Sequence, residues 1–418
     1  MNRTTTKNLL KSGLLALALS TCASTAWADD LTIWVRGSAS AAAQHMADLW
    51  NAKNPDSKLT VTVIPDNQMV TKLATGVTAA DVPDLISFDL IFMPDFMKAG
   101  YLEDLTKELK DDPNAAKVAK AYQQLATYDG KIYGSGFTPD VSILVYNKDL
   151  FKKAGLDPEK PPTTLAELKD DATKIHALGP DISGYYFSGN CGGCNIFTVA
   201  PMMWGSGAHV LPAGPDDKAL DGPGVKEVLT MFHDMWKDKI IPESAQQDNG
   251  TNFFATFETG KVGMQGSGGF AISALKKDHP EINFGIAYLP GIKPENASSF
   301  VGGDVIAIPK GSKHADMAKK FIQWALTDEA QLNGLAKNLI LPARTDLADN
   351  EFFKAEPRYI TTAKAVAIGQ TPWVFHFNDM VNADGSPWLQ MLQTAIFDGK
   401  IDEAIATAQD ALKTIASN

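Results

Sequence analysis

Residues 31–40 run Leu31-Thr32-Ile33-Trp34-Val35-Arg36-Gly37-Ser38-Ala39-Ser40. The first five alternate and are rich in strand formers, and Arg36-Gly37-Ser38 breaks the run. From Ala39 to Asn51 the period changes. Met46, Leu49 and Trp50 then share one apolar face of a helix. Lys58 to Ile64 is a second strand, Asn67 to Thr78 a second helix, and Pro83 to Phe88 a third strand ending at Asp89. Strand, helix, strand, helix, strand predicts an α/β fold, a parallel sheet covered by helices. Ligands of such sheets bind in the loops beyond the carboxyl ends of the strands. That puts Arg36 to Ala39, Asp66, Asn67 and Asp89 on one rim.

The rest of the chain continues in the same style. Val141 to Tyr146 reads as a strand, and Asn147 to Phe151 starts a helix. Thr164 is an N-cap for a helix Leu165 to Leu178, with Glu167 at its third position. Ile196 to Gly205 and Gly224 to Asp238 read as helices. Phe253 to Lys261 is a helix with a glycine stop. Val262 to Gly266 is a short strand entering a glycine-rich loop, Gly266 to Phe270. Phe300 to Ile308 is a strand containing Gly302-Gly303-Asp304, and Ala315 to Leu326 is a helix. Lys364 to Ile368 and Trp388 to Asn418 supply late helices. No tandem repeat or Gly/Ser tether is present, so crossing strands are expected to join the domains.

The chain has 418 residues, too many for one core and suited to two domains. It opens with Arg3, Lys7 and Lys11, then the apolar run Gly13 to Leu19, then Ala26-Trp27-Ala28. That order predicts a secretory signal peptide, residues 1–28, cleaved near Ala28. Leu19-Ser20-Thr21-Cys22 offers lipid attachment as a rival, but Thr21 is bulkier than the usual Gly or Ala. The net charge is −11. An acidic chain is a poor candidate for nucleic acid or an anionic membrane. Cys191 and Cys194 enclose two glycines. In an oxidising compartment a structural disulfide is the preferred reading, with free thiols or a redox or metal role as alternatives.

Enzyme signatures are thin: no HExxH, no GxGxxG after a strand, no Walker A loop and no GxSxG elbow. The histidines are scattered, and no metal or cofactor site is expected. Aromatic and short polar residues instead fall at expected strand ends and loops: Asp89, Asp140, Trp204, Phe270, Asp304, Arg344, Trp373 and Trp388. Sugars present apolar C–H faces and a ring of hydroxyls. Aromatic rings suit the first, and Asp, Asn and Arg suit the second. Trp34, Trp50, Trp236 and Trp324 lie on apolar faces and read as core. Trp373 and Trp388 serve binding or core equally well.

Eight stretches then carry a resemblance. They are LTIWVRGSAS, PDLISFDLIFMPDFMKAGYLEDLT, VYNKDLFKKAGL, PPTTLAELKDDATKI, FATFETGKVGMQGSGGF, FVGGDVIAIPKGSKHADMAKKFIQWALTDEAQ, LPARTDL and GKIDEAIATAQDALKTI. In this order they resemble the periplasmic solute-binding proteins of sugar ABC transporters, the extracellular type that includes maltose-binding protein. The resemblance implies the two-lobed type II fold, each lobe a parallel-rich sheet flanked by helices, joined by hinge strands. It implies one lobe from residues 29–138 and 296–344, and another from 139–295 and 345–418. It implies a periplasmic receptor that takes its ligand into the interlobe cleft, closes, and docks on membrane permease subunits. Because the site mixes carboxylates with only one or two arginines, a neutral mono-, di- or oligosaccharide is expected, and a monomer is expected.

Carried over by the resemblance, the ligand-binding positions are Arg36, Gly37 and Ser38 after the first strand, Asp66 and Asn67 after the second, and Asp89 after the third. Asp140 is the hinge carboxylate. Asn195, Ile196 and Trp204 form the aromatic-polar segment of the second lobe, although Ile196 lacks the ring some members stack there. Phe270 stands in the glycine loop, Gly302, Gly303 and Asp304 at the second crossing, and Arg344 and Trp373 late in the cleft. The Cys191/Cys194 pair departs from the maltose-type pattern and falls beside Asn195. Two other classes remain: a receptor for a polyol, a polyamine or glycerol phosphate, and an exported carbohydrate-active enzyme.

Overall fold

A computed structural model of the chain describes residues 30–65, 68–251 and 253–417. The expected signal peptide, Cys22, Asp66 and Asn67 lie outside the described residues. Among the described residues nine strands build the main sheet: β1 (Leu31–Arg36), β2 (Leu59–Ile64), β3 (Leu85–Asp89), β4 (Gly134–Asn147), β5 (Ser183–Tyr186), β6 (Val262–Gly268), β7 (Phe284–Ala287), β8 (Ser299–Ala307) and the short β9 (Gly369–Gln370), which pairs in parallel with β8. They follow the order β2-β1-β3-β8-β4-β6-β5, and β7 adds to β4.

Parallel ladders lie at the two ends and antiparallel ladders in the middle. β1 pairs in parallel with β2 from Leu31↔Leu59 and with β3 from Ile33↔Leu85. β5 runs parallel to β6. Between them, the long strands β4 and β8 run antiparallel and cross from one lobe to the other. β8 meets β3 at Asp304↔Asp89 and β4 at Val301↔Val141, with a register shift between Asp304 and Val305. Past the crossing, β4 passes to β6 at Ser142↔Gly268 and to β7 at Leu144↔Ala287. The chain therefore has two lobes sharing a pair of hinge strands.

Burial follows from position in the sheet. Central β3 is apolar on both faces, with Leu85, Ile86 and Phe88 fully buried, as a strand covered on both sides requires. Edge strand β2 leaves Thr60 and Thr62 exposed. The helices start where capping chemistry allows. Thr164 Oγ1 accepts the Glu167 N–H at 3.1 Å and opens the helix Leu165–His176. Asn147 Oδ1 accepts from Asp149 and Leu150 and opens Lys148–Lys153. Trp50 and Trp388 are core, and the Trp388 indole donates to the Gly192 carbonyl at 3.1 Å.

Several elements differ from expectation. The helix expected over Phe253–Lys261 shrinks to Ala255–Glu258. Gly266 to Phe270 is not a loop: β6 continues to Gly268, and Phe270 opens the helix Phe270–Asp278. Close packing is the reason. A Cβ on Gly266 would lie 2.8 Å from Thr198 Cβ, and one on Gly268 2.8 Å from Asp140 Oδ2. Pro201 has no N–H to donate, and Ile196–Gly205 resolves into Gly192–Thr198 and Ala200–Gly205. Left-handed Gly399 stands between Pro387–Ile396 and Ile401–Ala416, so the last helix is two. The late helix expected at Lys364 begins earlier, at Pro357.

Candidate functional site

The carboxyl ends of β1 and β3 meet the crossing strands at a cleft of about 730 Å3. Arg36, Ser38, Asp89, Asp140, Phe270, Gly302, Gly303 and Asp304 line it, with Cys194, Ile196, Phe197, Phe253, Phe300, Leu339, Tyr359 and Phe377. Among the described residues, the charged groups lining it are three carboxylates and one guanidinium.

Arg36 ties its part of the cleft together. Its Nη1 donates to Asp89 Oδ2 at 3.1 Å and its Nε to Asp304 Oδ1 at 3.0 Å, while Nη2 also contacts Asp304. The second oxygen of Asp304 accepts the Ser87 hydroxyl at 2.7 Å. Asp304 is 1% exposed, so this guanidinium is what makes a buried carboxylate tolerable. Burial raises the Asp89 carboxyl above its ordinary range, and the Arg36 charge opposes that shift.

Asp140 sits where β4 crosses. Its Oδ1 accepts the Val141 N–H at 2.8 Å and the Gly269 N–H at 3.0 Å. Burial pushes its carboxyl up to about 6. The two N–H donors oppose that shift, and no cation contributes to it. At the crossing, Gly303 has φ +91°, and a Cβ there would meet the Thr138 carbonyl at 2.0 Å. Glycine alone lets the two crossing strands approach that closely. Tyr122 donates its hydroxyl to the Gly302 carbonyl from below, and burial holds its phenol well above the ordinary value.

Aromatic rings form the other wall. Phe270 is 46% exposed and is backed by Phe254 at 5.7 Å and Phe253 at 6.4 Å between ring centres. Phe197 and Phe300 stand 5.6 Å apart. The ring absent at Ile196 is thus present one residue on. Cys191 and Cys194 form a disulfide at the start of the helix Gly192–Thr198, and Gly193 and Cys194 face the cleft.

Five expected residues lie outside this lining. Asn195 is fully buried and donates to the Ser188 carbonyl at 2.9 Å. Trp204 stacks behind Phe300 at 5.8 Å. Arg344 is 1% exposed, and its guanidinium reaches out to Asp328, Asp346 and Asn114 rather than into the cleft. Trp373 stacks on Tyr128 at 6.2 Å. Gly37 belongs to the exposed turn Gly37–Ala39 after β1. Sequence reasoning missed Phe197, Phe253, Phe300, Leu339, Tyr359 and Phe377 as lining residues. None stands apart from its sequence neighbours, and only the fold turns these side chains toward the cleft. The arrangement can accept hydrogen bonds from a ligand at carboxylates and offer it apolar faces.

The family model described as bacterial extracellular solute-binding protein matches residues 35–332, well over half of the chain. The chain belongs to the bacterial extracellular solute-binding protein family. It is a binding protein, not an enzyme. Among its relatives, the diacetylchitobiose-binding protein DasA of Streptomyces coelicolor is 28% identical over 389 residues, which span 89% of this chain and 86% of DasA. The cyclic α-maltosyl-1,6-maltose binding protein of Arthrobacter globiformis superposes with a TM-score of 0.82 at 24% identity, over 93% of this chain and 99% of that one. MalE of Xanthomonas citri superposes with a TM-score of 0.81 at 20% identity, over 93% and 97%. These likenesses establish the two-lobed, type II binding-protein fold. Among the described residues, no helix of this solute-binding protein is long and apolar enough to cross a membrane.

Proposed function

We propose that this solute-binding protein is the periplasmic receptor of a sugar ABC importer. It captures a neutral mono-, di- or oligosaccharide between its lobes and delivers it to the membrane permease as a monomer. One lobe takes residues 29–138 and 296–344, the other 139–295 and 345–418. Hinge closure along β4 and β8 brings them together. The observation that carries the reading is the composition of the cleft wall. Asp89 and Asp140 offer hydroxyl acceptors, with Asp304 holding Arg36 beside them, and Phe197, Phe253, Phe270 and Phe300 offer ring faces. The named relative and neighbours that bind sugars support the same reading.

The charge arrangement speaks against the charged alternatives. A polyamine would have to displace Arg36 from Asp89 and Asp304. A phosphate would find one guanidinium in the lining, already engaged by two carboxylates. In this reading Arg36, Gly37, Ser38, Asp66, Asn67, Asp89, Asp140, Phe270, Gly303 and Asp304 lie at the ligand or beside it. Asn195, Trp204, Arg344 and Trp373 support the walls.

The test is a thermal-shift screen of the purified protein against sugars, polyols, polyamines and phosphates. A ligand that binds the folded state alone stabilises it by about 2.7 kcal/mol at a hundredfold excess over its dissociation constant. A shift with one sugar family is the expected result. A shift with a polyamine or a phosphate, and none with sugars, replaces the function while keeping the fold.

A further inference from the structure

Two large apolar side chains stand exposed in the cleft: Phe270, 46% exposed, and Leu339, 41% exposed. They come from opposite lobes. Phe270 opens the helix that follows β6. Leu339 follows the helical turns Ala330–Leu335 and Ala336–Asn338. Those turns pack on the helix Ser40–Lys53 after β1, where a Cβ on Gly334 would lie 2.4 Å from the Met46 sulfur.

The backbone of Leu339 is left-handed, φ +59° and ψ +30°. Its N–H bonds the Ala336 carbonyl at 2.9 Å, and the Ile340 N–H returns to Leu335 at 3.2 Å. Leu339 is therefore a helix C-terminal cap, a position that ordinarily takes glycine or asparagine because a Cβ crowds the backbone there. Burial can offset such a cost. Leu220, also at positive φ, is 2% exposed. Leu339 has no such compensation, although Leu341 two residues on is 5% exposed and reaches toward Gly269. A strained and exposed leucine facing a cleft marks a functional position.

We propose that Leu339 is a ligand-contacting, specificity-determining residue, held strained and exposed so that closure sets it against an apolar C–H face of the bound sugar, with Phe270 on the opposite lobe. This rests on the sugar-receptor reading. Leucine here trades stability for binding, so its replacement moves the two quantities in opposite directions.

The test compares the full-length protein with Leu339→Gly and Leu339→Asn. Melting temperature is measured without ligand, and affinity by calorimetry with diacetylchitobiose, maltose and maltotriose as probes. Both variants are expected to melt at or above the parent temperature, because the left-handed backbone suits them. Affinity for whichever probe binds is expected to fall about tenfold, as for loss of one partly buried leucine contact. A probe bound equally well by parent and variants overturns the inference while the receptor reading stands. Variants that melt well below the parent overturn it too, since Leu339 is then a packing residue. If neither these probes nor any sugar of the thermal-shift screen binds the parent protein, the sugar reading fails and the inference with it.

Discussion

The Asp140 carboxylate accepts the Gly269 N–H at 3.0 Å. One bond thereby joins a crossing strand to the turn that presents Phe270, the exposed ring of the cleft. Closure that moves β4 must carry this turn with it, so the acceptor and the aromatic face keep a constant relation.

The pH dependence of binding follows from Asp140. Its folded carboxyl titrates at about 6 because of burial, above the ordinary 3.8. Between those values the folded protein holds a proton that the unfolded chain has released. Asp140 therefore favours the fold at low pH, and that contribution is lost as pH rises through the window. A ligand hydroxyl that donates to Asp140 prefers the charged form. Affinity should hold above pH 6 and decline below it, with proton release on binding near pH 5.5. Calorimetry at that pH in two buffers of different ionisation enthalpy checks this. Asp140→Asn should abolish the proton release, and equal release in the variant would refute the assignment.

Breaking the Arg36–Asp304 pair should be costly. Arg36→Ala strands a carboxylate that is 1% exposed. Removing one partner of a buried pair costs about 3 kcal/mol or more, to be read from urea unfolding. The double variant Arg36→Met with Asp304→Asn should recover part of that loss, because the most deeply buried charge is gone and only Asp89, at 26% side-chain exposure, is left without its partner. A double variant no more stable than Arg36→Ala would show that the pair is not the origin of the cost.

Arg344 should separate stability from binding. It bonds Asp346 through two nitrogens, at 3.0 and 2.6 Å, and contacts Asn114 at 2.9 Å, away from the cleft. The Arg344 hydrogen bond holds the Asp346 carboxyl below its usual range. Arg344→Ala should lower stability by about 3 kcal/mol and leave the dissociation constant of the bound sugar where it was. A large change in that constant with the fold intact would return Arg344 to the ligand.

The disulfide should hold the cleft wall. Gly250 has φ +95° and lies over both sulfurs, where a Cβ would approach them to 2.9 and 2.8 Å. Opening so short a ring should cost about 2 kcal/mol. Urea unfolding of a Cys191→Ser, Cys194→Ser variant reads that loss. Gly250→Ala should also destabilise, through strain at φ > 0 as well as the clash. A double serine variant as stable as the parent would leave the bond without a structural role.

Strand and helix periodicity was legible in the sequence because each element buries one face or both. Leu31–Val35, the strand ending at Asp89 and the Thr164 cap all lie where their chemistry places them. Arg36 and Asp89 were legible too, as polar residues at the ends of apolar strands, while the family resemblance placed Asp140 and Asp304 at the crossings. What the tertiary structure alone decided was direction and partnership. Arg344 and Arg36 are the same residue type, yet one is buried with its guanidinium on Asp328 and Asp346 and the other faces the cleft. Gly266 and Gly268 read as a loop but extend a strand, because Thr198 and Asp140 approach them from distant parts of the chain. The lining rings Phe197, Phe253 and Phe300 sit in apolar stretches like any others. Periodicity is a local property, whereas the cleft is made by contacts between residues far apart in the chain, and those exist only once the crossing strands have brought the lobes together.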